Sequence, residues 1–394
     1  MPAPVGQAAI FPTLAARSDQ MPVQLRPVAS AKEHRRYLRL PLELPDRRPN
    51  AVPTLLVDDR DLLDPKRNPQ LAHCEVERWI AWQGNRAVGR IMGIIHRSHN
   101  ASHGEHTARF FQLDCINDAE VVRLLVVAVE DWARERGMDR IIGPFGFSDK
   151  DPQGLQVEGF AHLPVISTPT NPAWLPPQLE TCAYGRSEDL VSYHLAIPAQ
   201  LPASYHAVAD RCLRNLGLHL VTIRSKRELK PWVVPVLRLV NETYGKLLGF
   251  TPMSEAEMHA LAAKYMFILQ PELVHLIADE HNTPVAFVIA SPDMSEGLRR
   301  ANGRLFPLGF LHILRAMKQA KQMDLLLGAV RPDLQGKGLT AAMGISLFDA
   351  ARTHGFTHLD SHLIMERNTR MCAELERLGA RVWKRYRVYE RMIS

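Results

Sequence analysis

The sequence predicts an α/β protein whose two halves share a similar order of strands and helices. Both halves begin with a strand and a helix pattern and continue with a β-hairpin pattern. The second half also contains a strand, a glycine loop and a helix in direct succession. The 394 residues suffice for two domains with cores of their own, and shares of 46% hydrophobic and 23% charged residues are typical of globular proteins.

The first half follows a short tail. We expect residues 1–22 to be flexible, since they lack both the basic start and the long apolar core of a signal peptide. A first domain is predicted over 23–200. Its strands are predicted at 23–26, 75–82, 87–95, 109–113 and 140–145, and its main helices at 31–40 and 118–136, the latter capped by Asp118.

A second domain is predicted over 201–394. Its strand patterns occupy 218–223, 273–279, 285–290 and 323–329. One helix pattern occupies 232–247, and another follows the capping box formed by Ser254 and Glu257. Residues 292–322 form an insertion before the last of these strands.

The most informative segment is the glycine loop at 330–339, which connects that last strand to a helical pattern. Gly336 and Gly338 can adopt backbone conformations that other residues avoid. Backbone N–H groups of such a loop converge at the positive end of a helix, where a pyrophosphate binds well. An ordinary strand-to-helix turn is the alternative interpretation.

The neighbours of these glycines resemble a known cofactor loop. Residues 335–340, QGKGLT, are similar to the Q/R-x-x-G-x-G/A loop with which GNAT (GCN5-related N-acetyltransferase) enzymes hold the coenzyme A pyrophosphate. Thr340 departs from the Gly or Ala that is usual there. A nucleotide P-loop does not fit, because its first glycine and its Gly-Lys-Ser/Thr ending are absent.

A later motif extends the resemblance. A strand pattern at 358–365 precedes Asn368, a helix that ends in LERLGA at 375–380, and a terminal strand. GNAT enzymes have a similar order. Many of them place a Tyr, as general acid for the departing thiolate, where this chain has Leu375. Tyr244, Tyr386 or water would have to supply that proton.

The resemblance implies a set of functional residues. The co-substrate acyl-CoA would be held by Ala329, Val330, Gln335, Gly336, Lys337, Gly338, Leu339, Thr340 and Asn368. Backbone N–H groups near Ala329 and Val330 would polarise the thioester carbonyl. Candidates for the base that takes the amine proton are Glu366, His362 and Glu242. For Glu366 the alternative is a surface carboxylate paired with a neighbouring arginine.

The first half lacks a cofactor loop. Its strand-to-helix connection is DCIND at 114–118, which contains no glycine and carries Asp114 and Asp118 where a pyrophosphate would lie. Repulsion between like charges disfavours binding there. The expected fold is therefore a tandem of two GNAT-like units, each a mixed, mostly antiparallel sheet flanked by helices, of which the first is degenerate.

The insertion offers a prediction about the substrate. Phe306, Phe310 and Leu314 fall on one helical face, and the segment carries cations but no acid between 305 and 321. Such a helix suits an acyl tunnel or a membrane surface. The alternative is a helix packed on the domain core.

Four short stretches resemble a bacterial group that includes the bacterial ceramide synthases. These are LDPKRNP (63–69), GPF (143–145), NGRLFP (302–307) and YRVYE (386–390). The resemblance implies transfer of a fatty acyl group to the long-chain amine of a sphingoid base, in the cytoplasm and in contact with the inner membrane surface. The alternatives are an acetyl-CoA-dependent small-amine acetyltransferase and a non-catalytic acyl-CoA-binding protein.

Other functional classes are disfavoured. The net charge of +6 is dispersed, without the basic stripe interleaved with aromatics that nucleic-acid binding favours. His96, His99, His103 and His106 have metal-like spacing, but we interpret them as a polar loop and expect no metal. The five scattered cysteines predict a reduced, cytoplasmic protein. No apolar run approaches the roughly 18 residues of a membrane span.

Overall fold

The computed structural model describes residues 21–44, 50–245 and 247–394, so most of the predicted tail lies outside the described residues. The strands are β1 (Val23–Pro27), β2 (Cys74–Gln83), β3 (Arg86–His96), β4 (Thr107–Cys115), β5 (Arg140–Gly143), β6 (Leu155–Glu158), β7 (Gly185–Ala196), β8 (His219–Val221), β9 (Val274–Ala278), β10 (Pro284–Pro292), β11 (Gln322–Val330), β12 (His358–Ser361), β13 (Ile364–Met365) and β14 (Arg381–Met392). The helices are α1 (Ala31–Glu43), α2 (Leu56–Leu62), α3 (Arg97–His103), α4 (Ala119–Arg134), α5 (Leu175–Thr181), α6 (Ala203–Leu216), α7 (Lys226–Thr243), α8 (Glu255–Tyr265), α9 (Ser295–Ala301), α10 (Gly309–Gln319), α11 (Leu339–Thr353) and α12 (Thr369–Arg377).

One continuous sheet joins the two halves of the described chain. Its order is β1-β2-β3-β4-β5-β14-β7-β12-β11-β10-β9-β8, with β6 against β14 and β13 against β7. Only the pairs β4–β5 and β11–β12 are parallel among the pairings of the described strands. The predicted α/β fold with mixed, mostly antiparallel sheets flanked by helices is confirmed.

Two strands cross between the halves. The last strand of the chain, β14, lies between β5 and β7, and β7 in turn pairs with β12. The strands β1–β5 of the first half are therefore extended by β14 of the second half, and the strands β8–β12 of the second half are extended by β7 of the first half. The division into domains at residue 200 stays a prediction, because the sheet continues across that point.

Local signals explain the predicted helices. The Asp118 carboxylate accepts a hydrogen bond from the Glu120 backbone N–H at 2.9 Å, which caps α4. Ser254 and Glu257 form the predicted capping box of α8. One prediction was wrong: the histidine segment contains the short helix α3, because the His96 ring accepts a hydrogen bond from the His99 N–H and so caps the turn.

The degenerate loop of the first half has structural roles. Asp114 pairs with Arg90 at 2.8 Å, and the Arg90 side chain is buried over the Tyr37 ring. Asp118 is occupied as the cap of α4. The two carboxylates that disfavour a pyrophosphate thus stabilise the first half. No helix of the described residues is long and apolar enough to cross a bilayer, and no cluster among them could hold a metal ion.

A buried ion pair lies where the halves join. Lys384 on β14 contacts Asp360 on β12 at 3.0 Å, and both side chains are fully buried. His194 on β7 contacts the same carboxylate at 2.9 Å. The Lys384 ammonium also donates to the Leu163 carbonyl at 2.8 Å. This network connects three neighbouring strands at the centre of the sheet.

We predict that Lys384→Met lowers the free energy of unfolding by about 3–5 kcal/mol, because it leaves the Asp360 charge buried without its cation. Urea denaturation at neutral pH measures the change. The double variant Lys384→Met/Asp360→Leu should recover much of the loss, since it removes both charges. Arg123→Met breaks an exposed pair with Glu120 and should have far less effect. Equal effects of the two single variants would contradict the prediction.

Candidate functional site

Strands β11 and β12 separate in the middle of the second half. Their parallel pairing covers four residue pairs, from Gln322–His358 to Leu325–Ser361, and the His362 N–H donates to the Leu325 carbonyl at 2.8 Å. Strand β11 then continues for five more residues to Val330. A gap opens there between residues 326–330 on one side and 362–365 on the other, and both segments line one cavity.

Backbone groups of β11 are turned towards this gap. The Gly328 carbonyl accepts a hydrogen bond from the Tyr244 hydroxyl at 3.1 Å, and the Val330 carbonyl accepts one from the Gln335 side chain at 3.1 Å. Successive residues of a strand direct their backbone groups to opposite sides. Ala329, opposite Phe287 on β10, therefore faces the other way. Of the two predicted carbonyl-polarising residues, only Val330 has its backbone on the gap.

The glycine loop has the conformation that its sequence predicts. Gly336 has φ +77° and Gly338 has φ +95°, and Gly338 is the N-cap of α11. Gln335, Gly336, Gly338 and Thr340 line the cavity. The first N–H groups of α11 have no partners within the helix and can bind an anion.

Two residues of the loop do not line the cavity. The Leu339 side chain is buried in the core of the second half, and the Lys337 side chain is exposed. Their contribution to cofactor binding can only come through the backbone or through long-range charge. The Leu339 side chain has a structural role in the core, and the cofactor-binding role of both residues stays a prediction that concerns their backbone.

The start of α12 also lines the cavity. Asn368 caps this helix by accepting a hydrogen bond from the Met371 N–H at 3.3 Å, and it lines the cavity together with Thr369 and Arg370. Leu375 is buried, so the usual tyrosine position holds an aliphatic side chain in the core. The described residues around α12 therefore present no tyrosine to the cavity.

Two candidates for proton transfer lie on the cavity. Burial lowers the pKa of His362 to about 4, and a hydrogen bond with the Ile166 backbone acts in the opposite direction. The imidazole is neutral at pH 7 and can accept a proton. Burial raises the pKa of Tyr244 to about 12, so its hydroxyl keeps its proton and can donate it. At pH 7, His362 therefore has a free nitrogen that can accept a proton, and Tyr244 has a hydroxyl proton that it can donate.

The other predicted catalytic residues lie elsewhere. Glu366 is paired with Arg385 at 2.5 Å and with Arg186 at 2.9 Å, so it is neutralised outside the cavity lining. Its partners are not the arginines that sequence proximity suggests. Glu242 is exposed on the last turn of α7. Tyr386 is fully buried within the sheet against Leu190, Met365 and Val388.

The cavity has a volume of about 1310 Å³, above the roughly 300–1,000 Å³ that is usual for small-molecule sites. One end contains the glycine loop and the start of α12. Residues of α7, α8 and the sheet form much of the rest of its lining. Its apolar lining includes Val236, Leu237, Val240, Leu247, Met253, Leu261, Ile268 and Leu269.

The predicted acyl-binding residues are on the surface instead. Phe306 is 73% exposed and Leu314 is 54% exposed, and neither they nor Phe310 line the cavity. The reason is that α10 turns Ile313 and Met317 inwards, where they pack in a cluster with Ile166. Helical spacing puts Ile313 and Met317 on the same apolar face as Phe310 and Leu314, but the structure covers only part of this face.

Sequence analysis missed a polar contribution from the first half. Asp149, Lys150, Asp151 and Gln153, in the loop after β5, line the cavity of the second half. The Gly143-Pro144-Phe145 stretch directly before this loop resembled the ceramide synthase group, and the charged run that follows it was the available signal. Its position against the second half depends on sheet topology, which a single sequence does not reveal.

We predict that Gly336→Val weakens coenzyme A binding by more than tenfold, because a side chain would occupy the space into which the backbone N–H groups point. Gly355→Val, at the other end of α11, is the matched control. Both glycines have positive φ and no heavy atom of another residue within 3.8 Å of an added Cβ. Calorimetric titration measures the affinity.

Gly338 is a poorer test of the same site. A Cβ there would lie 2.7 Å from the Val208 Cγ1 atom of α6, so its replacement also strains the fold. Equal coenzyme A affinities of the Gly336 and Gly355 variants would contradict the assignment of the loop.

Comparison with known proteins places these features in context. No protein-family model matches the chain. Protein YghO of Escherichia coli (strain K12) is 28% identical over 365 residues, which are 91% of this chain and 92% of that protein. A bacterial ceramide synthase of Caulobacter vibrioides is 28% identical over 377 residues, which are 93% of this chain and 97% of that protein.

Solved structures share the fold. A tandem GNAT protein from the clavulanic acid biosynthesis pathway has a TM-score of 0.53 at 14% identity and covers 95% of this chain and 99% of its own. A GCN5-related glucosamine N-acetyltransferase region of a fungal multi-domain β-N-acetylglucosaminidase has a TM-score of 0.54 at 11% identity, over 97% of this chain and 40% of that one. The chain therefore has a tandem GNAT fold, and its resemblance to the bacterial group that includes a ceramide synthase is confirmed.

Proposed function

We propose that this chain is an acyl-CoA-dependent N-acyltransferase that transfers a fatty acyl group to the amine of a sphingoid base. The observation that carries the proposal is the single cavity that connects the glycine loop to a large aliphatic interior. The GNAT fold supports an acyltransferase, and the similarity to a bacterial ceramide synthase supports the lipid substrate. The proposal assigns the co-substrate to acyl-CoA and involves no metal.

The residues on the gap can perform the chemistry of such a transfer. The Val330 N–H group, which lies on the gap side of β11, would bind the thioester oxygen as negative charge develops on it. Neutral His362 would accept a proton from the attacking amine. The Tyr244 hydroxyl, already bonded to Gly328, would donate the proton that the departing thiolate needs. This assignment replaces Glu366, Glu242 and Tyr386.

The acyl chain would occupy the aliphatic interior. Each buried CH₂ contributes roughly 0.8 kcal/mol, which is about fourfold in affinity. A long acyl chain within the cavity should therefore bind more tightly than an acetyl group by orders of magnitude. Acetyl transfer to a small polar amine does not require a large apolar cavity.

We predict that palmitoyl-CoA outcompetes acetyl-CoA by more than a hundredfold, and that Ala262→Phe reduces this preference at least tenfold. Ala262 on α8 lines the cavity, so the added ring would occupy space needed by the chain. Ala263→Phe is the matched control, since the next residue of the same helix is exposed. Competition with a series of acyl-CoAs and thiol release with a panel of amines measure both effects.

The outcomes separate the alternatives. Equal binding of acetyl and palmitoyl thioesters, with turnover of small amines, would replace the proposal by a small-amine acetyltransferase. Tight palmitoyl-CoA binding without thiol release for any amine would favour a non-catalytic acyl-CoA-binding protein.

We further propose that the chain acts in the cytoplasm and touches the inner membrane surface through the α10 segment. Its exposed apolar side chains are Phe306, Leu308, Phe310, Leu311 and Leu314. Exposed cations accompany them at Arg304, Arg315, Lys318 and Lys321. An apolar surface with a cationic rim complements an anionic bilayer, at which each cation contributes about 1 kcal/mol.

We predict that the chain sediments with phosphatidylserine vesicles and less with phosphatidylcholine vesicles, and that Phe306→Asp/Phe310→Asp abolishes this. Apolar side chains that enter the lipid are replaced by charges that repel it. Met392→Asp changes an apolar side chain of similar exposure at the end of β14 and should leave sedimentation unchanged. Sedimentation that does not respond to the double variant would rule out this surface.

A further inference from the structure

The first half contributes a nearly buried carboxylate to the cavity of the second half. Asp149 lines that cavity, and its side chain is only 7% exposed. Its charge acts on Tyr244, whose hydroxyl is bonded to the Gly328 carbonyl on the open side of β11. Asp149 therefore lies within electrostatic range of the place where the reaction is proposed to occur.

Hydrogen bonds within the first half hold the loop that carries Asp149. Arg109 on β4 is buried and donates to the Gly146 carbonyl at 3.0 Å and to the Phe147 carbonyl at 2.8 Å. The Asp151 carboxylate accepts hydrogen bonds from the Phe147 and Ser148 N–H groups at 2.7 and 3.1 Å. The loop is thus fixed by its own half of the chain.

Close packing sets this loop against the second half. A Cβ at Gly249 would lie 2.2 Å from the Phe145 ring, so glycine is needed for the segment after α7 to approach this closely. The Lys150 ammonium donates to the Thr251 carbonyl at 3.1 Å. The contact brings the Asp149 loop to the segment that follows Tyr244.

An amine acceptor brings a positive charge to this mostly apolar cavity. Alkylamines are protonated at neutral pH, as the ordinary pKa of lysine illustrates. Moving an ammonium into an aliphatic cavity is costly unless an anion accompanies it. The described lining offers three carboxylates for this purpose, namely Asp149, Asp151 and Glu374.

Two of these three carboxylates already have other hydrogen-bond or ion-pair partners. Asp151 holds the backbone of its own loop, and Glu374 pairs with Arg377 at 3.0 Å on α12. Asp149 contacts Lys150 at 2.8 Å through Oδ1, but Lys150 is its neighbour in the chain and the more exposed of the two side chains. An incoming ammonium can replace Lys150 at the Asp149 carboxylate while Lys150 keeps its hydrogen bond to the Thr251 carbonyl.

We propose that Asp149 forms the subsite that binds the ammonium group of the acceptor. The inference rests on the proposed N-acyltransferase function. It assigns the binding of the acceptor to the degenerate first half. The ligand class is a long-chain primary amine, whose chain occupies the aliphatic interior while its charged end lies at Asp149. Asp149 positions the acceptor. The bound ammonium gives one proton to His362 before its nitrogen attacks, and the second proton, lost after attack, replaces the one that Tyr244 donates to the thiolate.

The test is a binding experiment on the full chain that needs no turnover. Calorimetry compares dodecylamine with dodecanol, which has the same chain without the charge. The wild-type chain should bind the amine at least tenfold more tightly than the alcohol. Asp149→Asn, which keeps the shape of the side chain, should remove this difference, and Asp149→Glu should restore part of it.

Two further variants sharpen the test. Lys150→Met removes the competing cation and should increase amine affinity several-fold. Glu374→Gln, at a carboxylate that lines the same cavity but is paired with Arg377, should leave the preference for the amine unchanged. Thermal melts and palmitoyl-CoA binding should be equal for Asp149→Asn and the wild type, which shows that the fold and the cofactor end are intact.

The outcomes distinguish this inference from the proposed function. A wild-type chain without preference for the amine, or an Asp149→Asn variant that keeps the preference, would overturn the inference even if acyl transfer occurs. Loss of the preference in Asp149→Asn would support the subsite even if thiol release were never observed. In an active enzyme, Asp149→Asn should raise KM for the amine far more than it lowers kcat.

Discussion

The insertion of the C-terminal strand between two strands of the first half is the constraint on which the rest of the structure depends. Strand β14 lies between β5 and β7, and its Lys384 pairs with Asp360 of β12 in the interior. Because β14 follows every other described strand in the chain, the part of the sheet that contains β5 and β7 is complete only when the second half is present. The arrangement also fixes the loop after β5 beside the gap between β11 and β12. A site assembled from both halves follows directly from this sheet order.

The presence of a degenerate half is explained by the same geometry. Its strand-to-helix connection contains no glycine and uses Asp114 and Asp118 for an ion pair and a helix cap. What it retains is a rigid framework around Arg109 that supports the loop at the cavity. A tandem chain can thus divide its tasks, with one unit binding the thioester and the other shaping the acceptor side.

Local sequence signals predicted local structure well. The capping residues Asp118 and Ser254 and the positive φ angles at Gly336 and Gly338 depend on neighbours in the chain, so a single sequence contains the necessary information. The partners of β7 and β14 depend on contacts across the whole chain and could not be predicted. For the same reason Glu366 was favoured as a base, although Arg186 from the other half neutralises it.

Helical periodicity similarly predicts an apolar face without telling what covers it. In α10, Ile313 and Met317 are covered while Leu311 and Leu314 are exposed. Ile166 connects these two observations, because it packs in the cluster beneath α10 and also lines the cavity. The segment that carries the exposed apolar surface therefore packs on a residue that lines the cavity. Under the proposed bilayer contact and the proposed amine subsite, a long-chain amine that leaves the membrane at α10 would meet the protein beside this shared residue, which gives the surface and the cavity a common physical rationale.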